Sequence, residues 1–476
     1  MESAPLNNKR KSANGESAPR FLDRMIFFGL LATIALTAIP YGTVQPWWIS
    51  IFECLVFVIT MVAVVDISIR RNVRIDLPLM APLLGLALFA LIQSAPLFSA
   101  PSPLRRAASI SADPFGTRLF VVELIALILV TVLLSHYVST KTRLQGLIYV
   151  LIGVGVASAV FGIVRQHFQD APGFLLPALP TGDRSFAQFI NRNHFAVLME
   201  MTLGLALGLI VGEWGRYRRL WVLLPVAALF WVAIIISNSR GGIVASLCEL
   251  LFLGVVLDPV RHLTADDGDT RWTRFRTRAG GLIVRVFLVV ALIGLLIYGV
   301  GWIGGEPVVT NFQLATTDFS RQEMDENVNT SRKEIWSATW RMFRAHPFAG
   351  VGFGGYWIGI TKYHRASGEI TPQQAHNDYL ELLASGGVIG CALVAWFLVI
   401  FVKRVRGRMR SADPYCWGVC LGALAGVFGV AIHSFVDFGL HITINVLVCF
   451  ALIVIAVQND RLPRADTGLA LPRVSN

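Results

Sequence analysis

"HNDYLELLASGGVIG", His376 to Gly390, opens on polar residues and passes without interruption into an apolar run that continues to Val402. His376, Asn377, Asp378, Tyr379 and Glu381 stand together at its head. About 20 mostly apolar residues are needed for a helix to cross the hydrocarbon core of a bilayer. The stretch therefore reads as a membrane helix whose first turn is polar, either as interfacial decoration or as the rim of an active site.

The rest of the chain agrees with a membrane reading. Of its 476 residues 55% are hydrophobic and 15% charged, and the mean hydropathy is +0.62; a soluble domain carries about a quarter charged residues. Span-length apolar runs fall near 22–40, 47–66, 77–98, 117–137, 144–164, 194–213, 219–237, 241–258, 282–303, 383–402, 414–436 and 442–458. The predicted fold is thus an all-α polytopic membrane protein of about twelve transmembrane helices. The run after residue 20 reads as a retained anchor, because no small-residue cleavage site accompanies it. The net charge of +11 could suggest nucleic acid, but the basic residues sit in short clusters between apolar runs, which is a topology signal. The six cysteines have neither metal-ligand nor disulfide-framework spacing and read as small apolar fillers.

Placing the N-terminus inside puts 27 of the 41 basic residues on cytoplasmic connections and 14 outside, seven of those in one long loop. Long loops obey the positive-inside rule poorly, so the bias supports both termini being cytoplasmic. The expected organisation is a disordered cytoplasmic tail at 1–20, nine spans within 21–303, a large outer loop at 304–380, three spans within 381–458 and a cytoplasmic tail at 459–476. In the loop, "RKEIWSATWRMF" (332–343) spaces Ile335, Trp336, Thr339, Trp340, Met342 and Phe343 as on an amphipathic helix, lying on the membrane or capping the bundle. "HPFAGVGFGGYW" (346–357) reads as a glycine-rich turn region; no strand precedes it and no lysine sits as a phosphate loop requires.

Four polar constellations fall at the predicted outer face: "NRNHFA" (191–196), "SNSRGG" (237–242), the stretch from His376, and "HSFVDFGLH" (433–441). Each has a plain structural reading. Asn191 and Asn193 suit helix caps. Gly241 and Gly242 suit a tight hairpin with Arg240 reaching the interface. His433, Asp437 and His441 would align as metal ligands on one helix, but Gly439 and the span boundary argue that the helix breaks, so an interhelical network is the better reading. Together they point further. Arg192 and Arg240 lie at the ends of different helices on one side, and a guanidinium fork suits bidentate phosphate binding. His376, of a residue type that titrates near neutrality, suits a general base. Arginines on a lipid-carried diphosphate and a histidine taking a hydroxyl proton make a group-transfer site.

In this order, with the long loop between the second and third, the motifs resemble the O-antigen ligase and polymerase superfamily of bacterial envelope proteins. The likeness is strong across 185–400 and includes "HSFVDF"; residues 1–140 share only the hydropathy. The resemblance implies a C-type membrane glycosyltransferase of the bacterial inner membrane with a periplasmic active site. Such an enzyme takes a glycan from undecaprenyl diphosphate and passes it to a hydroxyl of another glycan or of lipid A core, with no metal or nucleotide cofactor. A flippase or chain-length regulator would be its further partners. On this resemblance Arg192 and Arg240 bind diphosphate, His376 is the base, and Arg332 helps to hold phosphate or glycan. Asn377, Asp378 and Tyr379 orient His376 or the acceptor, with His433 and Asp437 in the substrate site. The acceptor does not follow from the residues, so ligase and polymerase both stand. The alternatives are an O-linked protein oligosaccharyltransferase and a multi-span transporter of the kind named for bicarbonate. The transporter reading draws on Glu53, Glu123, Glu200 and Glu249, acids within spans.

Overall fold

The computed structural model describes residues 9–71, 75–97, 109–167, 185–213, 217–257, 332–364, 372–411 and 413–458, with short stretches between 286 and 295. Twelve of its helices concern the site and are numbered in chain order. They are α1 (Lys9–Thr37), α2 (Pro46–Arg70), α3 (Leu77–Ser94), α4 (Pro114–Tyr137), α5 (Lys141–His167), α6 (Arg192–Gly212), α7 (Tyr217–Ile236), α8 (Arg240–Val256), α9 (Arg332–Ala345), α10 (Asp378–Arg408), α11 (Pro414–His433) and α12 (Thr443–Val457). Every predicted run coincides with one of these except 282–303, most of which lies outside the described residues. Eight helices among the described residues are long and apolar enough to cross a membrane. The expected loop segment 304–331, residues 1–8 and the predicted tail 459–476 also lie outside the described residues, whereas residues 9–20, expected within a disordered tail, belong to α1.

The centre of the bundle is the pair α6 and α11, which pack more extensively than any other helices described. Sequence explains the closeness. Gly204, Gly208 and Gly212 face Gly426, Gly422 and Gly418 in antiparallel order: a Cβ on Gly208 would stand 2.5 Å from Gly422 N, and one on Gly422 would stand 2.6 Å from Gly204 O. Small residues at every fourth position let two backbones approach, the usual way for membrane helices to associate without a hydrophobic drive between them. By contrast α2 and α7 are mostly exposed along their apolar windows and form the periphery.

One end of the bundle is tied by the basic clusters read as cytoplasmic. Arg143 bonds Asp23, Lys141 Nζ lies 2.8 Å from Asp413 at the cap of α11, and Arg404 reaches Asp76 at the cap of α3, 2.7 Å away. The opposite end carries the starts of α6, α8, α9 and α10 and the turn between α11 and α12.

The helix starting at Asp378 is longer at both ends than the predicted span 383–402, and it is broken. Gly387 has φ 60° and ψ −163° inside α10. The glycine-rich segment explains how the break is tolerated. Val351 N and Gly352 N donate to Ala384 O and Ser385 O at 2.9 and 3.0 Å, and Val388 N and Ile389 N donate to Pro347 O and Phe348 O at 2.8 and 3.2 Å. The turn supplies the backbone partners that the interrupted helix lacks, which is the condition for irregular backbone at such a site. Gln93 of α3 locks the joint: its Nε2 donates to Ala349 O and Ser385 O at 2.6 and 3.0 Å. Helix α9 lies over this joint rather than apart from the protein. Ile335, Ala338, Thr339 and Met342 are buried, Trp336 Nε1 donates to Ala375 O at 3.1 Å, and Trp340 stays exposed. Of the two positions expected for this helix, the structure shows the one that caps the bundle.

Candidate active site

Three helix starts at this end, those of α6, α8 and α10, are set by a side chain. Asn191 accepts from Asn193 N at 2.9 Å, Ser239 Oγ from Gly242 N at 3.2 Å, and Asn377 Oδ1 from Leu380 N at 3.0 Å. These caps satisfy donors that a helix cannot pair internally. They make Arg192 and Arg240 the first residues of α6 and α8, as Arg332 is of α9. Asn193, expected as a cap, does something else. Its Oδ1 accepts from Ser239 Oγ at 2.8 Å while its Nδ2 donates to Asp437. One amide therefore joins the residue after Arg192 to the residue before Arg240, and both to the turn beyond α11.

Asp437 is the hub. It is fully buried, accepts from Phe438 N at 2.9 Å, and faces His376 Nδ1 at 3.4 Å and His194 Nε2 at 4.0 Å through the same oxygen. Burial pushes its carboxyl up, but the contact and charge of His376, with His194 and Arg332 behind, outweigh burial and hold it well below the usual carboxylate range. An anionic Asp437 at 3.4 Å favours the His376 tautomer that carries its proton on Nδ1. The ring of Phe438 stands edge to face with both imidazoles, at 4.8 Å from His376 and 4.7 Å from His194. His376 has φ 50°, a left-handed backbone rare for a residue with a side chain, and strain of this kind persists only where the surroundings enforce it.

The remaining predicted residues hold the start of α10 against the end of α11. Asn377 Nδ2 donates to Phe435 O at 2.8 Å, Asp378 Oδ2 accepts from Ser434 Oγ at 2.7 Å, and Tyr379 OH donates to Ala431 O at 2.6 Å. Asp378 and Glu381 both face His441 Nε2 at 3.5 Å. His433 points away from these, into the bundle, where its Nδ1 lies 2.7 Å from Glu200 Oε1. The helix ends at His433, so His433, Asp437 and His441 do not line up on one face. The structure thus unites Arg192, Arg240, Arg332, His376 and Asp437 at one end of the bundle, and places His433 beneath them. Sequence reading did not assign Asn193, His194, Ser239 and Phe438 to the site. All four lay inside quoted motifs, but no spacing joins residues 193, 239 and 437.

Four helices begin around this point, three of them with an arginine at the first position, and the N–H groups at a helix start carry partial positive charge. Beside these starts stands an oriented imidazole. Residues 225–395 match the model of the O-antigen ligase family. The match supports the resemblance to the O-antigen ligase and polymerase superfamily, and with it a membrane glycosyltransferase of that general type. No curated protein matches the chain. The matched segment contains Arg240, Arg332 and His376, while Arg192, Asn193 and Asp437 lie outside it; Asn193 and Asp437 reach it through the contacts above.

Proposed function

We propose that the chain transfers a glycan from a polyprenyl diphosphate carrier, undecaprenyl diphosphate in a bacterial inner membrane, to an acceptor hydroxyl at the periplasmic face. The observation that carries this reading is the pairing of His376 with buried Asp437 beside the arginine-bearing starts of α6, α8 and α9. The acceptor oxygen bonds to the anomeric carbon as the bond from that carbon to the diphosphate oxygen breaks. The acceptor proton goes to His376 Nε2, and the departing diphosphate keeps the electron pair. Arg192, Arg240 and Arg332 with the helix starts stabilise the charge that grows on it. Asp437 stabilises the imidazolium that forms.

O-antigen ligase and polymerase share this donor chemistry. The position of the site at the helix starts, not half-way along them, favours transfer over transport.

The test is complementation in a strain lacking its own gene, with wild type, Arg240→Ala and His376→Ala at matched membrane levels and the surface polysaccharide resolved on gels. Loss of glycan in both variants supports the reading, and glycan equal to wild type in both overturns it. In the wild type, capped lipopolysaccharide ladders identify a ligase and long carrier-linked polymer a polymerase.

A further inference from the structure

Below the rim lies a polar pair that the transfer chemistry does not use. Glu200 sits two turns into α6 and is fully buried, and its Oε1 meets Nδ1 of His433, the last residue of α11, at 2.7 Å. The His433 side chain is 1% exposed, too buried to reach a substrate directly. Its far edge lies against Gly241: a Cβ there would stand 2.7 Å from Nε2 and 3.2 Å from both Cδ2 and Cε1. Nε2 has no hydrogen-bond partner among the described residues, and it faces the residue that follows Arg240. The imidazole is therefore a wedge held by a carboxylate on α6 and set against the first turn of α8. The same residue anchors the turn that bears Asp437, whose N–H donates to His433 O at 3.1 Å.

We infer that Glu200 is a positioning residue for the anion site: through His433 it seats the start of α8 and so aims Arg240 at the diphosphate. This rests on the transferase reading above and extends it to a residue that touches neither substrate nor reacting atoms. Physical reasons favour the pair over a chance contact. A carboxyl group and an imidazole buried this deeply are costly, and the contact between Nδ1 and Oε1 offsets part of that cost for both. Glu200 also restricts the rotation of the ring, because only one orientation puts Nδ1 on Oε1. Gly241 lets the ring approach; any larger residue would push it or the helix start away.

The experiment measures binding of undecaprenyl diphosphate, the sugar-free carrier, to the purified full-length protein in detergent, together with melting temperature and membrane abundance. Arg240→Ala is the reference for a lost anion contact. Glu200→Leu keeps the bulk and removes the acceptor; Glu200→Gln keeps an oxygen for Nδ1; Gly241→Ala displaces the wedge without altering Glu200. The inference expects at least tenfold weaker binding for Glu200→Leu and Gly241→Ala, and binding within threefold of wild type for Glu200→Gln. If Glu200→Leu fails to fold, Gly241→Ala and Glu200→Gln still carry the comparison. The inference is overturned if Glu200→Leu or a folded Gly241→Ala binds as wild type while Arg240→Ala does not. It is overturned equally if the variants lose melting temperature alone, which marks a packing role. Failure of wild type to bind the carrier, with His376→Ala still making glycan in cells, would instead bring down the transferase reading beneath it.

Discussion

Replacing Asp437 by asparagine removes one charge and one acceptor while keeping the shape. In the proposed reaction the charge acts on the imidazolium that forms at His376, 3.4 Å away. At an effective dielectric of about 20 two unit charges at that separation attract by about 5 kcal/mol. The His376 side chain is 25% exposed, so solvent screens part of this, and about half is a reasonable expectation. At about 1.4 kcal/mol per tenfold in rate, turnover falls by about 70-fold, with about 4,000-fold as the unscreened limit. The hydrogen bonds work in the same direction. One Asp437 oxygen accepts from Phe438 N and the other from Asn193 Nδ2. The substituted amide offers only one acceptor oxygen, so either Asn193 or the pair of Phe438 N–H and His376 must face an amide donor. In the second case the proton of His376 is driven to Nε2, where it cannot act as a base. The assay is transfer rate from a lipid-linked donor at saturating concentration, with abundance and melting temperature measured alongside. A folded Asp437→Asn protein with turnover within threefold of wild type would refute the reasoning.

Other outcomes follow from the packing and the joint. Gly208→Val puts side chain where Gly422 N stands 2.5 Å from a Cβ; overpacking costs about 1–3 kcal/mol or more, and membrane abundance should fall, whereas Gly153→Ala, with open space around it, should leave abundance unchanged. Gln93→Ala strips the side-chain donor from Ala349 O and leaves Ser385 O with only its bond from Gly352 N; one unsatisfied buried group costs about 1–3 kcal/mol, and the melting temperature in detergent should fall. Because the Asp437 carboxyl titrates below the usual range in the folded protein, its stabilisation is complete above the ordinary aspartate value of about 3.9 and disappears as pH falls below it. Wild type and Asp437→Asn should therefore show their full difference in melting temperature from about pH 7 to about pH 5 and converge only in stronger acid.

What the sequence makes legible is what depends on neighbours along the chain. A long run of apolar residues favours a helix by itself, which is why each predicted run within the described residues coincides with one, eight of them long and apolar enough to cross a membrane. Asn191 announces a cap because the group it satisfies lies two residues on. The break in α10 is not legible, although Gly386 and Gly387 stand in the stretch from His376 to Gly390. Two adjacent glycines inside an apolar run are equally compatible with an unbroken helix. What makes the interruption stable is the backbone of residues 347–352 and the amide of Gln93, distant in sequence and joined only by the fold. Helix α9 was legible as amphipathic, but its apolar face does not say whether lipid or protein covers it.

The site divides in the same way. Arginine and histidine in short motifs were visible as chemistry; the groups that tune them were not. Asn193 reads as one more cap, and its real contacts are with residues 239 and 437. Glu200 reads as an acid without a basic partner in its own span, and the partner is on α11. This follows from where the reagents sit. Each arginine occupies the first position of a different helix, and the base occupies a strained residue just before a fourth. No local segment can hold such groups in mutual register. In a bundle whose helices touch lipid on one side, the register has to come from buried polar bonds between helices, each worth more for its geometry than for its energy. Asn193, Asp437 and the Glu200–His433 pair are bonds of that kind, and substitutions there should disturb transfer before they disturb the fold.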